Sequence, residues 1–130
     1  MFQGAEAFNQ PLELWDMGSA ETLSGMFFFA LAFNQTLDRW DVSNVEFMKE
    51  MFSFARDFSS DLREWNVSQV KTMEDTFKGA ENFTGAIDTW DVSSVLDMTG
   101  LFHNALKFNS DISQVGKLWK QHLRYVLCMY

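Results

Sequence analysis

Ser43-Asn-Val-Glu-Phe-Met-Lys-Glu-Met-Phe-Ser-Phe-Ala-Arg-Asp-Phe58 is the stretch whose reading decides the fold. Its apolar residues Val45, Met48, Met51, Phe52, Ala55 and Phe58 follow one another at intervals of 3, 3, 1, 3 and 3. That spacing places them on one face of a helix. Ser43 stands where an N-cap would, and Glu46 completes a capping box. The expected helix runs from residue 44 to residue 57.

The stretch is one copy of a unit that recurs every 25 residues. Phe2, Phe27, Phe52, Phe77 and Phe102 form one column, and Phe8, Phe33, Phe58, Phe83 and Phe108 another. Leu12, Leu37, Leu62, Ile87 and Ile112 form a third, and Trp15, Trp40, Trp65 and Trp90 a fourth. No insertion breaks the register, so five units begin at residues 1, 26, 51, 76 and 101. A unit of this length cannot bury its own apolar face. Stacking like on like makes a continuous core. The part of each unit outside the helix is too short for a second one, and a strand is expected around residues 87–89. Alternating strand and helix imply parallel strands and right-handed crossovers. The expected fold is an α/β solenoid: a leucine-rich-repeat-like right-handed coil of five units over residues 1–112, each a short parallel strand plus a helix.

The string Met-Phe-x-x-Ala-x-x-Phe-Asn-x-x-Leu-x-x-Trp-Asp-Val-Ser-x-Val-x-x-Met is densest at 26–48, 51–73 and 76–98. It resembles the roughly 25-residue bacterial surface-protein repeat of mycoplasma lipoproteins and BspA-like proteins. The first unit departs from it at Met17-Gly18, and the last after Ile112. The resemblance implies a leucine-rich-repeat-like fold, an extracellular or cell-surface location, and a role that is either adhesion or unknown. It brings no catalytic residues. The chain itself shows neither a signal peptide nor an anchor pattern.

Composition excludes several function classes. The chain has 130 residues, 14 Phe, 5 Trp, one Pro and a formal charge of −8. The last 18 residues hold Lys117, Lys120 and Arg124 and no acid, so residues 1–112 carry −11. Such a body repels phosphate backbones, and nucleic acid is not an expected partner. Cys128 is the only cysteine and His103 and His122 the only histidines, which leaves no metal-ligand cluster of those types. No nucleophile–base pair, phosphate loop or paired catalytic acid is recognisable, so no enzyme and no cofactor are expected.

Two polar columns look site-like. Asp16, Asp41, Asn66 and Asp91 could ladder calcium, or could bend the chain as Asx-turns. Asn9, Asn34, Ser59, Thr84 and Asn109 could satisfy backbone groups between coils. On the expected strand face, Asp38, Arg39, Arg63, Glu64 and Asp88 vary from unit to unit. They are candidates for a glycan- or protein-binding surface, or for a merely solvated one.

Four Phe lie outside the columns: Phe28, Phe29, Phe47 and Phe54. On the expected helices three fall on the flank and Phe28 faces out. An apolar patch of that kind marks an interface, or packs on the flank between neighbouring helices. Met1 and Phe2 begin the first unit with nothing to cover them, so a further chain or adjoining repeats are expected there. The residues 113–130 carry Val115, Leu118, Trp119, Leu123, Val126 and Leu127 at helical spacing. They are expected to form an amphipathic helical cap; contact of that helix with a membrane is the less favoured reading. The function expected from all this is a non-enzymatic protein-binding or structural repeat module. The alternative is an adhesin-like module that binds a glycan or host ligand through the strand face.

Overall fold

In the computed structural model, which describes residues 1–112, the apolar residues of the repeat are the corners of turns. Backbone N–H groups bond three residues back: Trp40 to Leu37, Val45 to Val42, Met51 to Met48, Ala55 to Phe52 and Phe58 to Ala55, at 3.0–3.2 Å. A helix would require bonds four residues back. The described residues contain no helix and no named strand, only isolated parallel bridges joining Thr22 to Phe47, Phe47 to Thr72 and Thr72 to Asp97.

This overturns the strand-plus-helix solenoid. The helix expected over residues 44–57 is a chain of turns, and it contains the bridging residue Phe47. The strand expected at residues 87–89 is the turn closed by Trp90 on Ile87. Ser43 caps no helix; its own N–H donates to Asp41 Oδ1 at 3.0 Å. The physical reason is that a helix face and a run of turns share one signature. In both, residues three apart point the same way. The helical cap expected over residues 113–130 lies outside the described residues.

What prevents a helix is the destination of alternate amides. Leu23, Gly25, Phe27 and Phe29 each donate to the next unit, to the carbonyls of Phe47, Lys49, Met51 and Ser53, all at 2.9 Å. The intervening Met26, Phe28 and Ala30 close turns on Leu23, Gly25 and Phe27. Two turns per unit therefore have a third residue with positive φ, the signature of type II. One column of such residues is Gly4, Phe29, Phe54, Gly79 and Asn104, and the other Gly25, Glu50, Asp75 and Gly100, all with φ between 52° and 72°.

Units 1–25, 26–50, 51–75, 76–100 and 101–112 (the described part of the last) are here coils 1 to 5. Their side-chain columns fill the interior. Phe27, Phe52 and Phe77 stack at 5.5 Å per coil, and Phe33, Phe58 and Phe83 at 5.9–6.0 Å. Trp40, Trp65 and Trp90 stack at 6.4–6.5 Å. Each such ring pair adds about 0.5–1.5 kcal/mol beyond the burial of its area. The indole N–H groups of Trp40, Trp65 and Trp90 donate to the carbonyls of Leu12, Leu37 and Leu62, one coil back, at 2.8–2.9 Å. The Trp column is thus both core and tie between coils.

Candidate functional site

Three of the four extra phenylalanines meet at the surface. Phe29 stacks on Phe54 with ring centroids 4.5 Å apart, and Phe28 packs edge-on to Phe29 at 4.8 Å and to Phe54 at 6.3 Å. Phe29 is 38% exposed, while Phe28 and Phe54 are half-buried. Phe28 therefore does not project alone, as a helix would have had it. Phe47 is 43% exposed but stands apart, in the bridge row between Thr22 and Thr72.

The backbone beneath this cluster is unusual. Phe29 and Phe54 hold φ of 57° and 58°, where bulky residues are outliers. Such strain costs on the order of 1–3 kcal/mol per residue. Glycine at the same column positions, Gly4 and Gly79, avoids it. Gly79 is also needed for space, since a Cβ there would lie 2.6 Å from the Phe54 ring. Between Phe28 and Lys78 in its column sits Ser53, 1% exposed, whose hydroxyl finds no partner. The sequence signal for these positions was present: glycine recurring at 4 and 79, and at 25 and 100.

The variable columns also find a common surface. Asp38 and Arg39, Arg63 and Glu64, and Asp88 are the central residues of the turns Leu37–Trp40, Leu62–Trp65 and Ile87–Trp90. Their neighbours at the corners point inward, so they point out, and all five are exposed. Asp38 lines three adjoining depressions of about 340, 280 and 270 Å³. Asp61, which the sequence did not single out, lines two of them and pairs with Arg63 at 3.0 Å. Arg63 also approaches Asp88 at 3.9 Å. These are exposed pairs, which solvent screening makes weak. The trough is polar throughout: hydroxyls of Thr36, Ser59 and Ser60, amides of Asn34 and Gln35, and charged groups.

Both polar columns serve the backbone. Oδ1 of Asp16, Asp41, Asn66 and Asp91 accepts the N–H two residues on, from Gly18, Ser43, Ser68 and Ser93, at 3.0–3.2 Å. These are Asx-turns. Hydrogen bonds from Ser43 and Ser93 hold the Asp41 and Asp91 carboxyls below the ordinary carboxylate range. In the other column each side chain accepts the N–H of its counterpart one coil on: Asn34 to Asn9, Ser59 to Asn34, and Thr84 to Ser59, at 2.9–3.0 Å. Among the described residues no three His, Cys, Asp or Glu side chains are grouped to hold a metal, and no helix is long and apolar enough to cross a membrane.

The coil-1 residues Met1 and Phe2 differ from their counterparts. Met1 is 83% exposed and Phe2 half-buried, whereas Met51 and Phe52 are fully buried.

The family model described as "Mycoplasma protein of unknown function, DUF285" matches residues 1–84 and again residues 58–123. The chain belongs to that family. No curated protein and no solved structure matches it.

Proposed function

We propose a non-enzymatic protein-binding or structural repeat module of the BspA-like surface type, working outside the cell. The observation that supports this reading is the Phe28/Phe29/Phe54 cluster. Two of its rings are kept on left-handed backbone at the surface, where asparagine or glycine would cost less. Core packing gives no reason for that expense, because the buried columns are complete without them. Phe29→Asn removes the exposed ring and suits the backbone. The variant should keep or raise its melting temperature, and affinity capture should lose chains that the unaltered protein retains. Identical captured chains would remove the cluster from the reading.

A second reading rests on the trough. An adhesin-like module would use Asp38, Arg39, Arg63, Glu64 and Asp88 to bind a glycan or host ligand, with carboxylates and guanidinium groups bonding neighbouring hydroxyls. Its weakness is the lining: Trp40, Trp65 and Trp90 are only 2–3% exposed, so no aromatic platform is offered to a sugar ring. Glycan-array binding that disappears in Arg39→Ala and Arg63→Ala would favour it.

A further inference from the structure

The Asx-turn column carries one substitution that its structural role does not need. Asp16, Asp41 and Asp91 close this turn with a carboxylate oxygen. Asn66 closes it too, with an amide oxygen that accepts the Ser68 N–H at 3.2 Å. The change adds only a side-chain nitrogen. Asn66 is exposed, and its Nδ2 meets no acceptor among the described residues. Asn66-Val67-Ser68 is also an Asn-x-Ser/Thr triplet, the acceptor pattern for an N-linked glycan. Val67 is 1% exposed and turns inward, which leaves Asn66 on the outer side of the coil. Two other triplets share the pattern, Asn34-Gln35-Thr36 and Asn82-Phe83-Thr84. The fold ties both of their asparagines to a neighbouring coil. Asn34 Oδ1 accepts the Ser59 N–H at 2.9 Å. Asn82 is half-buried, and its Nδ2 donates to Asp57 Oδ1 at 3.1 Å. A sugar on Asn82 would have to leave from between coils 3 and 4, whereas a sugar on Asn66 displaces no bond.

We propose that Asn66 is an acceptor for N-linked glycosylation. The proposal rests on the reading that the protein works outside the cell, because this modification belongs to exported chains. The co-reactant is an oligosaccharide carried on a lipid diphosphate. Nδ2 of Asn66 attacks the anomeric carbon of the first sugar. The new N–C bond forms as the C–O bond to the diphosphate breaks. The amide gives up one proton, and the lipid diphosphate leaves. The turn oxygen takes no part, so the bond from the Ser68 N–H to Oδ1 survives in the product. The same nitrogen does not exist at Asp16, Asp41 or Asp91, so coil 3 alone can be modified in this column.

The test directs the full chain into the secretory pathway of a eukaryotic cell and maps the secreted protein by glycopeptide mass spectrometry. The peptide containing Asn66 should gain the mass of the oligosaccharide, and amidase treatment should remove it and leave an aspartate at position 66. Ser68→Ala should abolish the gain. So should Asn66→Asp, which keeps the turn, as Asp41 and Asp91 show, and should still fold and be secreted. Asn82→Gln should leave the glycan on Asn66 in place. A secreted chain with Asn66 bare overturns the proposal. So does modification confined to Asn34 or Asn82, since the amide that the fold spares would then not be the one chosen. Export is supplied in this experiment, so either failure leaves the location of the protein untouched. Location is read separately, from whether a protease added to intact source cells degrades the protein.

Discussion

Coil 1 and coil 3 have the same pattern and opposite circumstances. Phe2 and Phe52 occupy one column; Phe2 is half-buried with a ring neighbour in coil 2, at 5.5 Å, while Phe52 has Phe27 on one side and Phe77 on the other, each at 5.5 Å. Trp15 and Trp65 occupy another, and among the described residues the Trp65 indole has a carbonyl, that of Leu37, while the Trp15 indole has none. The difference teaches that a coil here owes little to itself. Its turns and its Phe52–Phe58 ring pair are closed locally, but about half of its ordered amides and the ring columns above and below belong to its neighbours. Stability in such a stack is a sum over interfaces, so an identical residue is worth different amounts at different heights.

The largest break in that comparison comes from the Phe column. Phe52→Ala should cost about 3–5 kcal/mol, as expected for a fully buried ring replaced by a void. Phe2→Ala should cost markedly less, since part of its surface is already wet. Urea unfolding of the two variants measures the gap. Equal losses would show that coil 1 is packed as tightly as coil 3.

A smaller effect separates the left-handed glycines. Gly79→Ala and Gly4→Ala both place a Cβ at positive φ, 65° and 72°, which costs about 1 kcal/mol in either place. At Gly79 the new carbon also meets Phe54 at 2.6 Å; at Gly4 nothing lies within 4 Å. Gly79→Ala should therefore lose roughly 1–3 kcal/mol more, the range for overpacking. Adding Phe54→Asn should recover much of that excess. A Gly79→Ala loss that Phe54→Asn leaves intact would assign the whole cost to the backbone.

The comparison also explains which parts of the fold could be read from the residues. The columns could, because stacking identical side chains leaves a 25-residue imprint: Phe27, Phe52 and Phe77 need no structure to be aligned. The path between the columns could not. Val45, Met48, Met51 and Phe52 have the spacing of a helix face, and a chain of turns produces the same spacing. The stretch from Ser43 to Phe58 concealed the difference, because Glu50 and Phe54 fill the two left-handed positions that Gly25, Gly100, Gly4 and Gly79 hold elsewhere. Two glycine columns inside an expected helix contradict the helix. Asp38, Arg39, Arg63, Glu64 and Asp88 vary where the corners do not, and the structure leaves all five exposed. Phe28, Phe29 and Phe54 meet on turns, where helical geometry puts Phe28 on the opposite side and adds Phe47 to the group. The bonds of the Trp40, Trp65 and Trp90 indoles to the coil before were invisible, because they have no sequence signature of their own.

The smallest effect concerns pH, and it separates coils by chemistry. Asp41 in coil 2 and Asp91 in coil 4 have carboxyls lowered by hydrogen bonds from Ser43 and Ser93; coil 3 has Asn66 at that position, which does not titrate. A carboxyl whose folded pKa lies below its unfolded value stabilises the fold above the unfolded value, near 3.8. That contribution is lost as pH falls through the lower folded value. Acidification below about pH 4 should therefore loosen the turns of coils 2 and 4 while the Asn66 turn keeps its bond. Asp41→Asn preserves an acceptor for Ser43. The variant should match the parent's stability at pH 7 and lose slightly less of it in acid. Chemical denaturation at pH 7 and pH 3 measures both. A variant that falls as steeply as its parent would show that other carboxylates, such as Asp57 held low beside Arg56, govern the acid response.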